Sequence, residues 1–226
     1  YSFVREIQTL QKHLNPTDHI LEYGCGNGYA SQQIFETHDF PSYLGVDYSE
    51  NMIKVAAAGS TAPIERRGYE VGDVMVHKTD RKYDTVFTDR CLINLANHDE
   101  QVVAIKNIHN NMRAGGTYLM MECSKKSLSN INKVRTDIGL SEITERWHNC
   151  YLEEDKLLKD VEDYFSLEEV DSFASTYFLI SRTVNAVVGE ETGHIDYRST
   201  VNRVASRLPP QGDYAPLKLF VLKRRE

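Results

Sequence analysis

Three glycines at alternate positions, Gly24, Gly26 and Gly28, follow a short apolar run that carries an acid near its end, His19-Ile20-Leu21-Glu22-Tyr23. Glycine reaches backbone dihedrals closed to other residues and lets a ligand approach the main chain, so this spacing reads as a turn built around a bound molecule. A second apolar segment, Tyr43-Leu44-Gly45-Val46, ends at Asp47, and a carboxylate at the C-terminal edge of a strand can accept hydrogen bonds from a ribose diol. Together the two features point to a nucleoside. A dinucleotide fits poorly, because a pyrophosphate-binding turn needs G-x-G-x-x-G and Tyr29 stands where its third glycine belongs.

The order Glu22-x-Gly24-x-Gly26-x-Gly28 resembles motif I of the class I S-adenosylmethionine-dependent methyltransferases, and further landmarks follow in sequence. Gly72-Asp73-Val74 resembles the segment that meets the adenine, Tyr83-Asp84-Thr85-Val86-Phe87-Thr88-Asp89 the fourth strand, and Arg113-Ala114-Gly115-Gly116 the K/R-P-G-G turn into strand five, with Ala114 replacing proline. The likeness covers residues 19–123. It implies S-adenosyl-L-methionine as cofactor and S-adenosyl-L-homocysteine as product. By the same resemblance, Glu22 places the ammonium group, and Tyr23, Gly24, Cys25, Gly26 and Gly28 face the methionine portion. Asp47 and Tyr48 lie at the ribose, Asp73 and Val74 at the adenine, and Asp89 beside the cofactor. A looser likeness of Arg90-Cys91-Leu92-Ile93-Asn94-Leu95 and Trp147-His148-Asn149 is to bacterial methyltransferases of small acceptors, some encoded with surface-polysaccharide genes.

Methyl transfer from a sulfonium is an in-line displacement, which asks a protein to align the acceptor, exclude water and take up a proton. A histidine side chain can change charge near neutral pH, which makes His148 the candidate base, with Asn149 and Tyr151 positioning a polyhydroxylated acceptor. Arg90 offers a planar fork to an anionic acceptor, and Tyr177 and Arg182 are candidates to extend that anion pocket. The Asn/Asp-Pro-Pro-Tyr/Phe motif of enzymes acting on flipped bases or glutamine amides is absent after strand four. No compact carboxylate set predicts a metal site. The four cysteines, Cys25, Cys91, Cys123 and Cys150, are isolated and read as small apolar fillers rather than nucleophiles. The expected reaction is transfer to a hydroxyl of a small polar acceptor: a sugar, nucleotide-linked sugar or phosphorylated metabolite. The alternatives are a small-amine N-methyltransferase and a catalytically silent binding subunit.

These groups need a scaffold, and hydrophobic periodicity supplies one. Phe3, Ile7, Leu10 and Leu14 recur at helical spacing before Asn15-Pro16. Helices are expected over 29–37, over 50–58 behind an Ser49 cap, and from His98 with Val102, Ile105, Ile108 and Met112 on one face. Strand three is expected over 65–71, strand five over 116–122, a helix over 153–164 and strand six over 166–173. A final strand is expected over 217–222. Strand–helix alternation predicts a parallel α/β sheet with right-handed crossovers. The resemblance adds an antiparallel last strand, giving a Rossmann-like seven-stranded sheet in the order 3-2-1-4-5-7-6. At 226 residues the chain reads as one domain. Its cofactor-binding half is 15–123, and acceptor-side insertions cover about 124–153 and 177–208.

A net charge of -7 argues against a partner held by nucleic-acid phosphates. No run is apolar enough to span a bilayer and the first residues lack a secretion pattern, so a cytoplasmic monomer or homodimer is expected. Because the chain opens at Tyr1, residues preceding it, which in this family often close over the cofactor, are an expected part of any lid.

Overall fold

The computed structural model describes residues 2–60 and 66–226. Seven strands, β1 His19–Tyr23, β2 Ser42–Asp47, β3 Arg67–Val71, β4 Tyr83–Asp89, β5 Met112–Cys123, β6 Phe165–Asp171 and β7 Leu217–Arg224, form one sheet ordered β3-β2-β1-β4-β5-β7-β6. β7 lies antiparallel between β5 and β6, and the pairings from β3 to β5 are parallel. The expected sheet order is therefore observed.

Side-chain alternation along the central strands divides the core between two faces. Leu21, Val86, Tyr118 and Met120 pack toward Ile105 and Ile108 of α4 (His98–Asn110) and Leu157 of α6 (Glu154–Asp160). Ile20, Phe87, Leu119 and Met121 pack toward Ile7 and Leu10 of α1 (Ser2–Gln11) and Ile34 of α2 (Tyr29–Phe35). Local capping sets the helix starts. The Ser49 hydroxyl accepts from Met52 N at the head of α3 (Glu50–Gly59), and Asn97 Oδ1 accepts from Glu100 N at the head of α4.

Several boundaries differ from expectation. Met112 opens β5 instead of closing α4, because it pairs with Tyr83 across an irregular step before the Thr85–Thr117 pair. α2 ends at Phe35 and α6 at Asp160, short of residues 37 and 164. Glu65, the expected start of strand three, lies outside the described residues. The 124–153 segment is not all irregular: Ser124 caps a regular helix, α5 (Lys125–Asp137). The 177–208 segment contains most of α7 (Ser175–Arg182), then α8 (Val184–Thr192) and α9 (Thr200–Ala205). No helix among the described residues is long and apolar enough to cross a membrane.

Candidate functional site

Chain progression reverses between β1 and β4, leading to β2 and β3 on one side and β5 on the other; a doubly wound sheet opens a crevice at the strand C-termini there. Four segments converge on it: the glycine turn after β1, the turn after Asp47, the turn after β3 and the segment after Asp89. They border a cleft of about 480 Å³. Of the residues expected at the cofactor, Tyr23, Gly24, Asp47, Tyr48, Asp73 and Val74 line it, whereas Glu22, Cys25, Gly26, Gly28 and Asp89 do not. Arg90 lines it as well. Gly72, Met75, Cys91, Asn94 and Leu95 complete the wall; sequence reasoning had read Cys91 as an apolar filler and named none of the five among the candidate site residues.

The glycines serve different needs although all three are left-handed, with φ of 77°, 53° and 75°. A Cβ on Gly24 would lie 2.7 Å from the Cβ of Cys91, so this glycine lets the turn pack against the strand-four segment. A Cβ on Gly26 would meet nothing within 4 Å: its backbone faces open space. Asp47 clamps the turns together, Oδ2 accepting from Gly26 N and Oδ1 from Ser49 N, each at 2.8 Å. A carboxylate oxygen has two acceptor positions, so both oxygens keep one for a ligand hydroxyl. Asp73 Oδ1 accepts from Met75 N at 2.8 Å, which shapes the turn after β3.

Behind the cleft sits a buried acid cluster. Glu22 is 2% exposed and accepts from the Tyr43 hydroxyl. Burial pushes its carboxyl up to about 8, against the lowering effect of Tyr43, with Asp89 and Asp47 adding repulsion. Burial likewise pushes Asp89 up to about 7, opposed by Arg90, and its Oδ1 is buried without a partner. Arg90 has φ of 54°, the only positive non-glycine value among the described residues. Its guanidinium spans Glu6 of α1 at 2.7 Å and Asp89 at 3.3 Å, so its fork ties α1 to the end of β4.

Glu122 is a site residue that sequence reasoning missed. Its Oε1 accepts from Cys91 N and Leu92 N at 3.0 and 2.9 Å, and Oε2 from Ile93 N at 3.3 Å, which holds the 3-10 turn Leu92–Asn94 at the cleft wall. Burial pushes this carboxyl up to about 7. Its signal was an acid inside the apolar run of strand five.

The expected acceptor residues do not gather in one place. His148 is exposed, its ring 5.2 Å from that of Trp147, which is 95% exposed. Asn149 N donates to Arg146 O, and Cys150 N ties the segment to Ile93 O at 2.7 Å. Neither His148 nor Asn149 lines the cleft. Tyr151 and Arg182 instead come together on a second cavity of about 370 Å³, which Tyr177 does not line. Cys25 and Cys91 do not carry poised thiols, since burial pushes both up, and it pushes Cys123 up to about 12. Among the described residues no three His, Cys, Asp or Glu side chains are grouped to hold a metal ion.

A family model described as a methyltransferase domain matches residues 14–167. The carboxy-S-adenosyl-L-methionine synthase of Campylobacter fetus subsp. fetus is 27% identical over 117 residues, 50% of this chain and 47% of that protein. The match therefore spans about half the length of that curated relative. Magnesium protoporphyrin IX methyltransferase from Synechocystis has a TM-score of 0.63 at 14% identity, covering 100% of this chain and 84% of its own. A TehB-like methyltransferase from Corynebacterium glutamicum has a TM-score of 0.60 at 15% identity, covering 98% and 88%. At these identities the likeness is one of fold.

Proposed function

The chain belongs to the class I S-adenosylmethionine-dependent methyltransferase family, and from that membership we propose that it methylates a hydroxyl of a small polar acceptor. The observation that carries the cofactor half of this reading is the Asp47 clamp beside the open space over Gly26. The unpartnered Asp89 oxygen and the buried Glu22 add acceptors suited to a cationic ligand. Bound there, S-adenosylmethionine supplies an electrophilic methyl group. In this reading Asp47 accepts from the ribose hydroxyls, Asp73 and Val74 border the adenine, and Glu22 balances the ammonium charge. The Leu92–Asn94 turn, held by Glu122, helps to close the cleft wall and exclude water. Cys150 anchors the segment bearing His148, Asn149 and Tyr151 to that turn, which supports an acceptor-side role for it. His148 is the proposed proton acceptor, and an H148A enzyme with full rate removes it from that role.

Methyl-labelled S-adenosylmethionine offered with mixed pools of alcohols and amines tests the reading. Label in methyl ethers formed from the alcohols supports it; label only in methylated amines makes the chain an N-methyltransferase; tight cofactor binding without transfer makes it a silent subunit. The Campylobacter relative motivates a second reading, in which the cofactor itself receives a carboxyl group from a second, carboxyl-donating substrate. Mass spectrometry of the cofactor after incubation, with a carboxylated species as the positive result, separates the two.

A further inference from the structure

The second cavity is walled by α5, the irregular segment before α6, and the α7–α8 region. Three of its lining residues are Arg135, Arg146 and Arg182, and no Asp or Glu lines it. That is unusual in a chain of net charge -7. Among the described residues none of the three guanidinium groups is in an ion pair. Arg135 donates Nε to Ser141 O at 2.8 Å and Nη1 to Arg182 O, which leaves three of its five N–H groups. Arg182 lies over two rings, 5.2 Å from the centroid of Phe178 and 4.8 Å from that of Tyr197, contacts that orient a guanidinium without neutralising it. Three nearby acids lie outside the lining: Glu145 accepts from Tyr151 N, Glu190 acts on Arg135, and Asp196, between the lining residues Ile195 and Tyr197, accepts from Arg198 N through Oδ1. Ser181 and Tyr197 add hydroxyls. Tyr151 lines this cavity, its neighbour Leu152 donates its N–H to the carbonyl of Cys123, the last residue of β5, and Arg90 N bonds the same strand at Met121 O. The end of β5 thus connects the arginine cavity with the cleft that Arg90 lines.

We propose that this cavity anchors a carboxylate or phosphate group of the acceptor, with Arg146 and Arg182 as the principal ligands and Arg135 reinforcing them. Three unneutralised guanidiniums within about 370 Å³ match an anionic group on a small molecule better than a neutral sugar. This rests on the methyltransferase reading, since it gives that enzyme's acceptor its charge class. Calorimetric titration of the full chain at low ionic strength with glycerol 3-phosphate, malate and glycerol tests it, with S-adenosylhomocysteine titrated separately. One or both anions are expected to bind and glycerol not; which anion binds distinguishes phosphate from carboxylate. R146Q and R182Q are each expected to weaken the anion at least tenfold and leave S-adenosylhomocysteine affinity unchanged. Arg182 carries ring contacts, so a misfolded R182Q is replaced by the exposed R146Q as the deciding variant. A wild-type chain that binds S-adenosylhomocysteine but neither anion overturns the inference, as does anion binding indifferent to R146Q. Anion binding that follows the expected pattern in a chain blind to S-adenosylhomocysteine upholds the anion site and sinks the cofactor reading instead.

Discussion

Individual residues show where local sequence sufficed and where it did not. Asp47 was legible because an acid at the end of a strand has a chemical meaning of its own, and the structure adds that its two oxygens bind two backbone N–H groups. Arg90 was legible only as a cation: its partner Glu6 lies on α1, a contact no local pattern announces. Substituting Asp47 by Ala removes both the clamp and the proposed ribose acceptor. Hydrogen bonds to charged groups contribute about 1.5–3 kcal/mol, so S-adenosylhomocysteine affinity is expected to fall at least tenfold. Unchanged calorimetric affinity in D47A would move the ribose elsewhere. Glu22 supplies a second test. Its carboxyl, raised to about 8, is mostly protonated at pH 7, and an ammonium beside it favours the ionised form. Cofactor-product binding at pH 7 should therefore release a proton, seen as a dependence of the calorimetric heat on buffer ionisation enthalpy. E22Q should abolish that dependence; equal release from E22Q would assign the proton to another group.

At the scale of elements, the glycine turn, the Leu92–Asn94 turn and α1 are fastened to the sheet by acids whose partners are backbone groups or a single arginine. The order of strands and helices followed from alternating periodicity, but their ends did not, because pairing across a bulge and capping decide them. Met112 is apolar and helix-compatible, yet Tyr83 claims it for β5. The glycine turn allows its two functions to be separated. G26A places a side chain at φ of 53° with nothing to clash against, so its stability cost is limited to the left-handed strain, about 1–2 kcal/mol. G24A adds overpacking against Cys91, about 1–3 kcal/mol more. Urea denaturation should therefore rank G24A as the less stable variant. G26A, whose new methyl group enters the open space, should lose the more cofactor affinity per kcal/mol of lost stability. A G26A protein that binds S-adenosylhomocysteine normally would show that this space is not the ligand's.

At the scale of the whole molecule, the sheet order was legible and the second cavity was not. Arg135, Arg146 and Arg182 come from separate segments that meet where α5 packs against α7, and of the three only Arg182 was legible as an anion ligand. The fold also buries three carboxyls, Glu22, Asp89 and Glu122, and burial raises all three, to about 8, 7 and 7. Their ordinary values are 4.5, 3.8 and 4.5, so between about pH 4 and 8 the unfolded chain has ionised carboxyls where the folded chain keeps protons. The folded state then binds more protons, and stability falls as pH rises through this window. His109, lowered by burial, works in the opposite sense only up to its ordinary value of 6.5. Asp213 is lowered below 3.8, so the stability it contributes is lost only under more acidic conditions. The ligand-free protein should accordingly melt at a higher temperature at pH 5 than at pH 8, and E22Q, which removes the most strongly raised group, should flatten the slope. Because a ligand that binds only the folded state adds stability by mass action, saturating S-adenosylhomocysteine should recover part of the loss at pH 8 in wild type. A melting temperature that instead rises from pH 5 to pH 8 would mean that these carboxyls are ionised in the ligand-free fold.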